Sequence, residues 1–210
     1  MILAYLMQIS GFDDFLQHFF FDAEQKAWLV DAHHPLYKKI FYHLPKVILM
    51  GTGAAVFIRV IFEMYYKRTF PRYWIFILSI ILVPTINALL KEITFTYCPL
   101  QLKDFGGYKD FRALFDFQDV MLQWEGRGKC FPAGHATTGF SLMSLYFVFE
   151  KKALRYAGLI MGMSLGWIMA FYQIMKGAHF FSHSVATMLL SWAIILGIKE
   201  VYERLAKEYT

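Results

Sequence analysis

The chain has 210 residues, 58% of them hydrophobic, 19% aromatic and 18% charged, against roughly 45–50% apolar and about 25% charged in ordinary globular proteins. This composition excludes disorder and argues against a soluble domain. The formal charge of +5, from 21 Lys and Arg against 16 Asp and Glu, reads first as membrane topology rather than nucleic-acid binding.

At roughly 150 residues per domain, the length fits one membrane-embedded unit over 1–210. Residues 1–9 are apolar but reach only about half the ~20 residues of a span, with no Lys or Arg before them. They predict a short helix, or the remnant of a truncated first span. Over 12–21 aromatics alternate with Asp13, Asp14 and His18, which suits a segment lying in the membrane interface or a helix-packing surface. His33, His34 and Pro35 mark a turn, and 1–46 therefore reads as a short helix plus an interfacial segment.

Stronger candidates for membrane spans cover 47–66, 73–90, 135–149 and 154–173, and another covers 179–198. The expected fold is all-α, a polytopic transmembrane bundle of about five full spans plus a short N-terminal helix. The core is 47–198 and the tail 199–210. Arg59 and Glu63, four apart, can pair on one helical face. Pro84 is expected to kink its helix. Gly158, Gly162 and Gly166 recur every fourth residue, a stripe that lets a neighbouring backbone approach closely.

Lys67, Arg68 and Arg72, then Lys151, Lys152 and Arg155, then Lys199, Arg204 and Lys207 fall on one side of these spans. The positive-inside rule makes that side cytoplasmic. The long segment 92–133 and the short turn 176–178 then share the outer face, where loop residues from both can meet.

Three clusters stand at outer-face helix ends: Lys91 with Cys98-Pro99, then Cys130-Phe131-Pro132-Ala133-Gly134-His135, then Lys176-Gly177-Ala178-His179-Phe180-Phe181-Ser182-His183. Phosphoryl transfer needs little more than such a set, because its work is positioning the phosphate and neutralising its oxygens while nucleophile and leaving group stand in line. Pro132 to His135 place a tight turn at a helix N-terminus, where backbone N–H groups favour an anion. His179 and His183, four apart, share a face if helical, so that one imidazole can orient the other. Cys98 and Cys130 both lie on the outer face beside these clusters, and an oxidising compartment would allow a bridge between them.

These residues resemble the type 2 phosphatidic acid phosphatase superfamily of membrane lipid phosphatases and phosphotransferases. Its first signature, Lys, six residues, Arg-Pro, is matched by Lys91 and Cys98-Pro99 with Cys in place of Arg. Its second, Pro-Ser-Gly-His, is matched by Pro132-Ala133-Gly134-His135 with Ala in place of Ser. In the third, Ser-Arg, five residues, His, three residues, Asp, the nucleophile aligns with His179 and the Asp position holds His183. The Ser-Arg pair falls on Tyr172-Gln173, with Lys176 as a substitute cation.

The resemblance implies that His179 attacks phosphorus and forms a phosphohistidine, that His135 protonates the leaving oxygen, and that His183 orients His179. Lys91, Lys176 and the Gly134 N–H would hold the phosphate, with Arg127 or Lys129 adding donors. The expected partner is a membrane lipid: a polyprenyl pyrophosphate such as undecaprenyl pyrophosphate, lipid A, or a phosphatidic acid-like lipid. The subgroup most similar is that of the lipid A phosphotransferases. No cofactor or metal is implied, and the setting is the cytoplasmic (inner) membrane, with the site on the periplasmic face and the C-terminus in the cytoplasm. Two other readings stay open: a lipid-phosphate binding or transport protein weakened by the lost Arg and Asp, and a zinc-dependent hydrolase using His135, His179 and His183, with Asp116 or Asp119 as further ligands.

Overall fold

A computed structural model describes residues 1–31, 34–67, 72–115 and 128–208. His33, Arg68, Asp116, Asp119 and Arg127 lie outside the described residues, as does the side chain of Glu63, so the turn and the Arg59 pair expected there lie outside them too. Two short helices, α1 (Ile2–Ile9) and α2 (Phe12–His18), lead into a two-stranded hairpin, β1 (Phe21–Asp22) and β2 (Ala27–Trp28), paired antiparallel. A further turn, α3 (Pro35–Lys38), runs through a π-helical stretch into α4 (Leu44–Lys67), followed by α5 (Tyr73–Glu92). Next come α6 (Thr137–Ser141), α7 (Leu145–Val148), α8 (Lys152–Met175) and α9 (Phe181–Glu208).

Among the described residues four helical runs are long and apolar enough to cross a bilayer: Pro35–Phe62, Tyr73–Glu92, Lys152–Met175 and Phe181–Lys207. The protein is an all-α membrane bundle. The remaining expected span, 135–149, is instead the shorter apolar run Thr137–Val148, in which a 3-10 turn over Leu142–Ser144 joins α6 to α7. Such a run rises roughly 20 Å, short of the ~30 Å hydrocarbon core. Protein rather than lipid surrounds it: Phe140, Leu142, Met143 and Leu145 are almost wholly buried.

That enclosure explains the glycine stripe of α8. A Cβ on Gly158 would meet the Leu145 side chain, one on Gly162 the Met143 backbone, and one on Gly166 the Phe140 ring. Helices in a bilayer gain little from the hydrophobic effect against each other, so close backbone approach and dense packing carry the association. Around this contact Val83, Ala136, Phe140, Met143, Ala170 and Ile195 form one core cluster, and Val60, Phe76 and Ile77 pack with Leu142, Leu145 and Val148 in another.

The N-terminal helices are built inside-out. Ile2, Leu6 and Ile9 of α1 and Phe12, Phe15 and Phe19 around α2 are exposed, whereas Ala4, Gln8, Asp13 and Gln17 are buried. Both helices pack on α9, with apolar side chains outward and polar ones inward. Beside them the hairpin's Phe21 and Trp28 join Tyr97, Leu102, Phe105 and Phe180 in an aromatic cap at the same end of the bundle.

Candidate active site

The C-terminal end of α5 and the N-terminal ends of α4 and α9 face the same way, and the loops that join them converge there. Beyond α5 the chain is extended through Thr96, whose carbonyl accepts a hydrogen bond from the Cys130 N–H at 3.0 Å. Thr94 Oγ1 donates to the Phe131 carbonyl. Cys98 and Cys130 are joined by a disulfide with their Cα atoms 5.1 Å apart. Three links thus hold the segment after Lys91 to the segment before His135. The Ala133 N–H donates to Thr187 Oγ1 of α9 at 2.8 Å, and Thr137 Oγ1 donates to the Gly134 carbonyl at 2.6 Å. Helix α6 begins at Thr137, so His135 lies in the turn before it rather than in its first helical turn. The Lys91 Nζ sits 3.8 Å from where a Cβ on Gly134 would stand, which sets that ammonium over the glycine.

At the end of α8, Gly177 adopts φ +71°, a left-handed conformation that costs glycine little and other residues more. Its N–H donates to the Ile174 carbonyl, and the Ala178 N–H to the Gln173 carbonyl, both at 2.9 Å. This paired closure terminates α8 and turns the chain sharply. The indole of Trp28 packs where a Gly177 Cβ would lie. The next residue but one is His179, delivered into the interior two residues before α9 starts.

His179 is 3% exposed. Burial first, then the charges of His183, Lys91 and His135, push its pKa well below the ordinary histidine value, against a smaller opposing effect of the Cys130 backbone. The ring is therefore neutral at pH 7. Its Nδ1 lies 3.4 Å from the Cys130 Sγ. A disulfide sulfur carries no proton, so a hydrogen bond in this contact can be donated only by the imidazole.

The His135 and His179 rings lie 6.4 Å apart, and those of His179 and His183 6.0 Å apart. His179 and His183 form no hydrogen bond with each other. Instead the Cys130 backbone interacts with both rings, and His183 is packed edge-on against Phe131 and Phe180. A further residue fixes its tautomer. The Gln8 Oε1 accepts from the Leu114 N–H at 2.9 Å, so its amide nitrogen is the atom 3.1 Å from the His183 Nε2. An amide nitrogen only donates, so the His183 Nε2 accepts and its hydrogen sits on Nδ1.

His135 is half-buried, and burial, followed by the charges of Lys176, Lys91 and Lys46, lowers its pKa to about 4. The ammonium groups of three lysines from three different segments thus act on one ring. Sequence reasoning placed Lys91 and Lys176 here and missed Lys46, because a lysine near the start of a hydrophobic helix reads as a headgroup anchor. Lys129 is elsewhere engaged: it pairs with Glu92, both side chains about half-exposed. Lys46→Met is expected to lower kcat/KM about tenfold by removing one charge-assisted phosphate contact, read in a steady-state assay; an unchanged value would take Lys46 out of the site.

The N-terminal helices also supply groups that the sequence did not reveal as site residues. Asp13 accepts from the Ser182 N–H at 2.9 Å and from the Ser182 hydroxyl, and Gln17 donates to the Ile174 carbonyl at 2.8 Å. Burial raises the Asp13 carboxyl to about 6, against the lowering effect of the Ser182 hydrogen bonds. A usable signal was present: Asp13 and Gln17 are four apart, on one face of a helix whose other faces are aromatic. Gln8→Leu is expected to destabilise the protein by about 1–3 kcal/mol, because it strands the Leu114 N–H and the His183 Nε2 in a buried place. Thermal denaturation in detergent reads this, and a shift within error would contradict the role.

Among the described residues, the side chains that converge as possible metal ligands are Cys98, Cys130 and His179. The two sulfurs are bonded to each other, which leaves one imidazole and no thiolate. Among the described residues neither His135 nor His183 joins that group, and Asp116 and Asp119, the further ligands of the zinc reading, lie outside the described residues.

No curated protein and no solved structure matches the chain. The family model of the PAP2 superfamily matches residues 72–207, a stretch that contains α5, the disulfide, all three site histidines, Lys91 and Lys176. The chain belongs to the PAP2 superfamily, a family of phosphatase- and phosphotransferase-type function.

Proposed function

We propose that the protein transfers a phosphoryl group from a membrane lipid phosphate or pyrophosphate by way of a phosphohistidine on His179. The observation that carries this reading is the placement of the His179 and His135 imidazoles with their ring centres 6.4 Å apart, where the charges of Lys176, Lys91 and Lys46 act on His135. The His179 Nε2 attacks phosphorus, the bond from phosphorus to the lipid or diphosphate oxygen breaks, and His135 gives that oxygen a proton. In the second step water or an acceptor hydroxyl attacks the phosphohistidine, His135 takes the proton, and the N–P bond breaks. The lysines hold the non-bridging oxygens, with the Gly134 N–H as a further donor. His183 is a positioning residue that acts on His179 through Cys130.

The acid role of His135 depends on substrate. With a pKa of about 4 the free protein holds this ring almost entirely neutral at pH 7. A phosphate dianion seated among the lysines offsets their charge and raises the His135 pKa, so the proton donor forms only in the complex. Histidine NMR titration in detergent is expected to show His135 protonating near pH 4 and moving upward when orthovanadate is added. An ordinary titration near 6.5 without ligand would contradict the lysine cluster.

A lipid substrate is supported by the four bilayer-length apolar runs and by a site at helix ends, where headgroups arrive by lateral diffusion. The disulfide at this end, and Lys151, Lys152, Arg155, Lys199, Arg204 and Lys207 toward the other, support an inner-membrane setting with the site on the periplasmic face and the C-terminus in the cytoplasm. Undecaprenyl pyrophosphate as donor and lipid A as acceptor follow from the motif resemblance. Purified protein given undecaprenyl pyrophosphate in chelator should release inorganic phosphate if water is the acceptor, or move phosphate onto lipid A if lipid is. Turnover of neither kind would favour the lipid-phosphate binding reading.

A further inference from the structure

At the end of the bundle away from the histidines two cavities meet at Tyr202. The first, about 740 Å³, is lined by Arg72 before α5, Arg155 of α8, and Lys199, Glu203 and Lys207 of α9, with Tyr146 of α7 among its aromatic walls. Four cationic side chains against one carboxylate leave a net charge of +3. That carboxylate is already engaged, Glu203 lying 2.6 Å from the Lys199 Nζ. Arg155 is held in place: its Nε donates to the Tyr146 carbonyl at 3.1 Å and its guanidinium lies 4.4 Å over the Tyr146 ring. The cations come from separate elements and converge on one hollow.

The second cavity, about 590 Å³, is a groove between α5 and α9 lined by Trp74, Leu78, Leu82, Ile194, Gly197 and Val201 among others. Its walls are apolar, and it opens on the flank of the two helices, where Leu78 and Val201 are exposed. The groove runs along the direction of both helices, and Tyr202 lines it and the basic hollow alike.

We propose that this composite cavity is a binding site for an anionic phospholipid, its phosphate seated among Arg72, Arg155 and Lys207 and one acyl chain lying in the groove between α5 and α9. A basic hollow alone would suit any anion, and an apolar groove alone any lipid tail. Their continuity at Tyr202 requires a ligand with a negative head and a long apolar tail. The site is separate from the phosphoryl-transfer centre: α5 puts about 30 Å between Arg72 and Lys91, too far for a headgroup held here to reach His179. By touching α5, α7, α8 and α9 together, the bound lipid acts as a structural brace.

Native mass spectrometry of the full chain in dodecyl maltoside, with equimolar palmitoyl-oleoyl phosphatidylglycerol and phosphatidylcholine, tests the proposal. One phosphatidylglycerol is expected to be retained in about tenfold preference. Arg72→Gln should reduce that preference at least about threefold. A Cβ on Gly197 would meet open space, so Gly197→Phe fills the groove without disturbing the packing and should lower phosphatidylglycerol retention with every charge in place. Equal retention of the two lipids would overturn the site, as would a preference that survives both substitutions. Loss of the adduct to millimolar inorganic phosphate, with Gly197→Phe behaving as wild type, would overturn the lipid and assign the hollow to a soluble anion.

Discussion

Replacing His179 with alanine is expected to lower turnover by at least about 10³-fold, since removing the proposed covalent nucleophile takes away the step that every later one depends on. The size of the effect separates chemistry from packing. His179 has its Nδ1 at Cys130 Sγ and sits among groups held independently by the disulfide, the Ala133 to Thr187 bond and the end of α8. Truncation therefore opens a hole at the site without releasing the loops around it, and a lipid phosphate still meets the three lysines. The expected pattern is lost kcat with substrate binding retained and a thermal transition near that of wild type. His135→Ala should cost about 10²–10⁴-fold, the range of a general acid, and the double variant should be little worse than His179→Ala. A His179→Ala preparation with unchanged turnover would remove the nucleophile from the account.

The second large effect is on stability. Breaking the Cys98–Cys130 bridge, by Cys98→Ser or by reductant, should cost about 3–4 kcal/mol in the chain-entropy view for a crosslink of this span. The partners are 32 residues apart, and Cys130 leads directly into the turn at Gly134 and His135. Activity should fall as well, because Cys130 is the residue that touches the His179 Nδ1 and whose backbone faces both His179 and His183. Thermal unfolding with and without reductant measures the first effect and steady-state kinetics the second. A non-reducing thiol count that found two free thiols in protein isolated from its membrane would contradict the bridge.

The parts of the fold that were legible in the sequence are those whose pattern is set by the bilayer. Long apolar runs announce spans because lipid leaves backbone groups no partner outside the helix; α4, α5 and α8 extend by a few residues the stretches read from hydropathy, whereas α9 starts at Phe181 and runs on to Glu208, well past the expected end at 198. The run 135–149 misled for a physical reason: protein contacts and lipid contacts both demand apolar side chains, so hydropathy alone cannot tell an enclosed short helix from a span. The glycine stripe of α8 was informative about packing but silent about its partner, which is this same enclosed run.

Within the site, His135, His179, His183, Lys91 and Lys176 stand in short motifs, and local spacing was enough to single them out. Lys46, Gln8 and Asp13 reach the site only through tertiary folding, from segments distant in sequence. Gln8 and Asp13 were hidden further by the inverted amphipathicity of α1 and α2, where aromatic and aliphatic side chains on the outside make the segment read as a membrane surface. The relation between His179 and His183 also differs from what their spacing suggests. His179 precedes α9 rather than lying on it, so the two rings do not stack along one helical face, and Cys130 stands between them.

The central claim is that phosphorus becomes bonded to His179, and the most direct measurement is to trap that bond. Purified protein is mixed with undecaprenyl pyrophosphate labelled in its terminal phosphate, quenched in alkali after a fraction of a turnover, and digested. The expected result is an alkali-stable, acid-labile label on the peptide containing His179, absent from His179→Ala and accumulating in His135→Ala when the donor is an activated phosphate ester that needs no proton on leaving. Turnover without any labelled protein, or label that persists in His179→Ala, would contradict it.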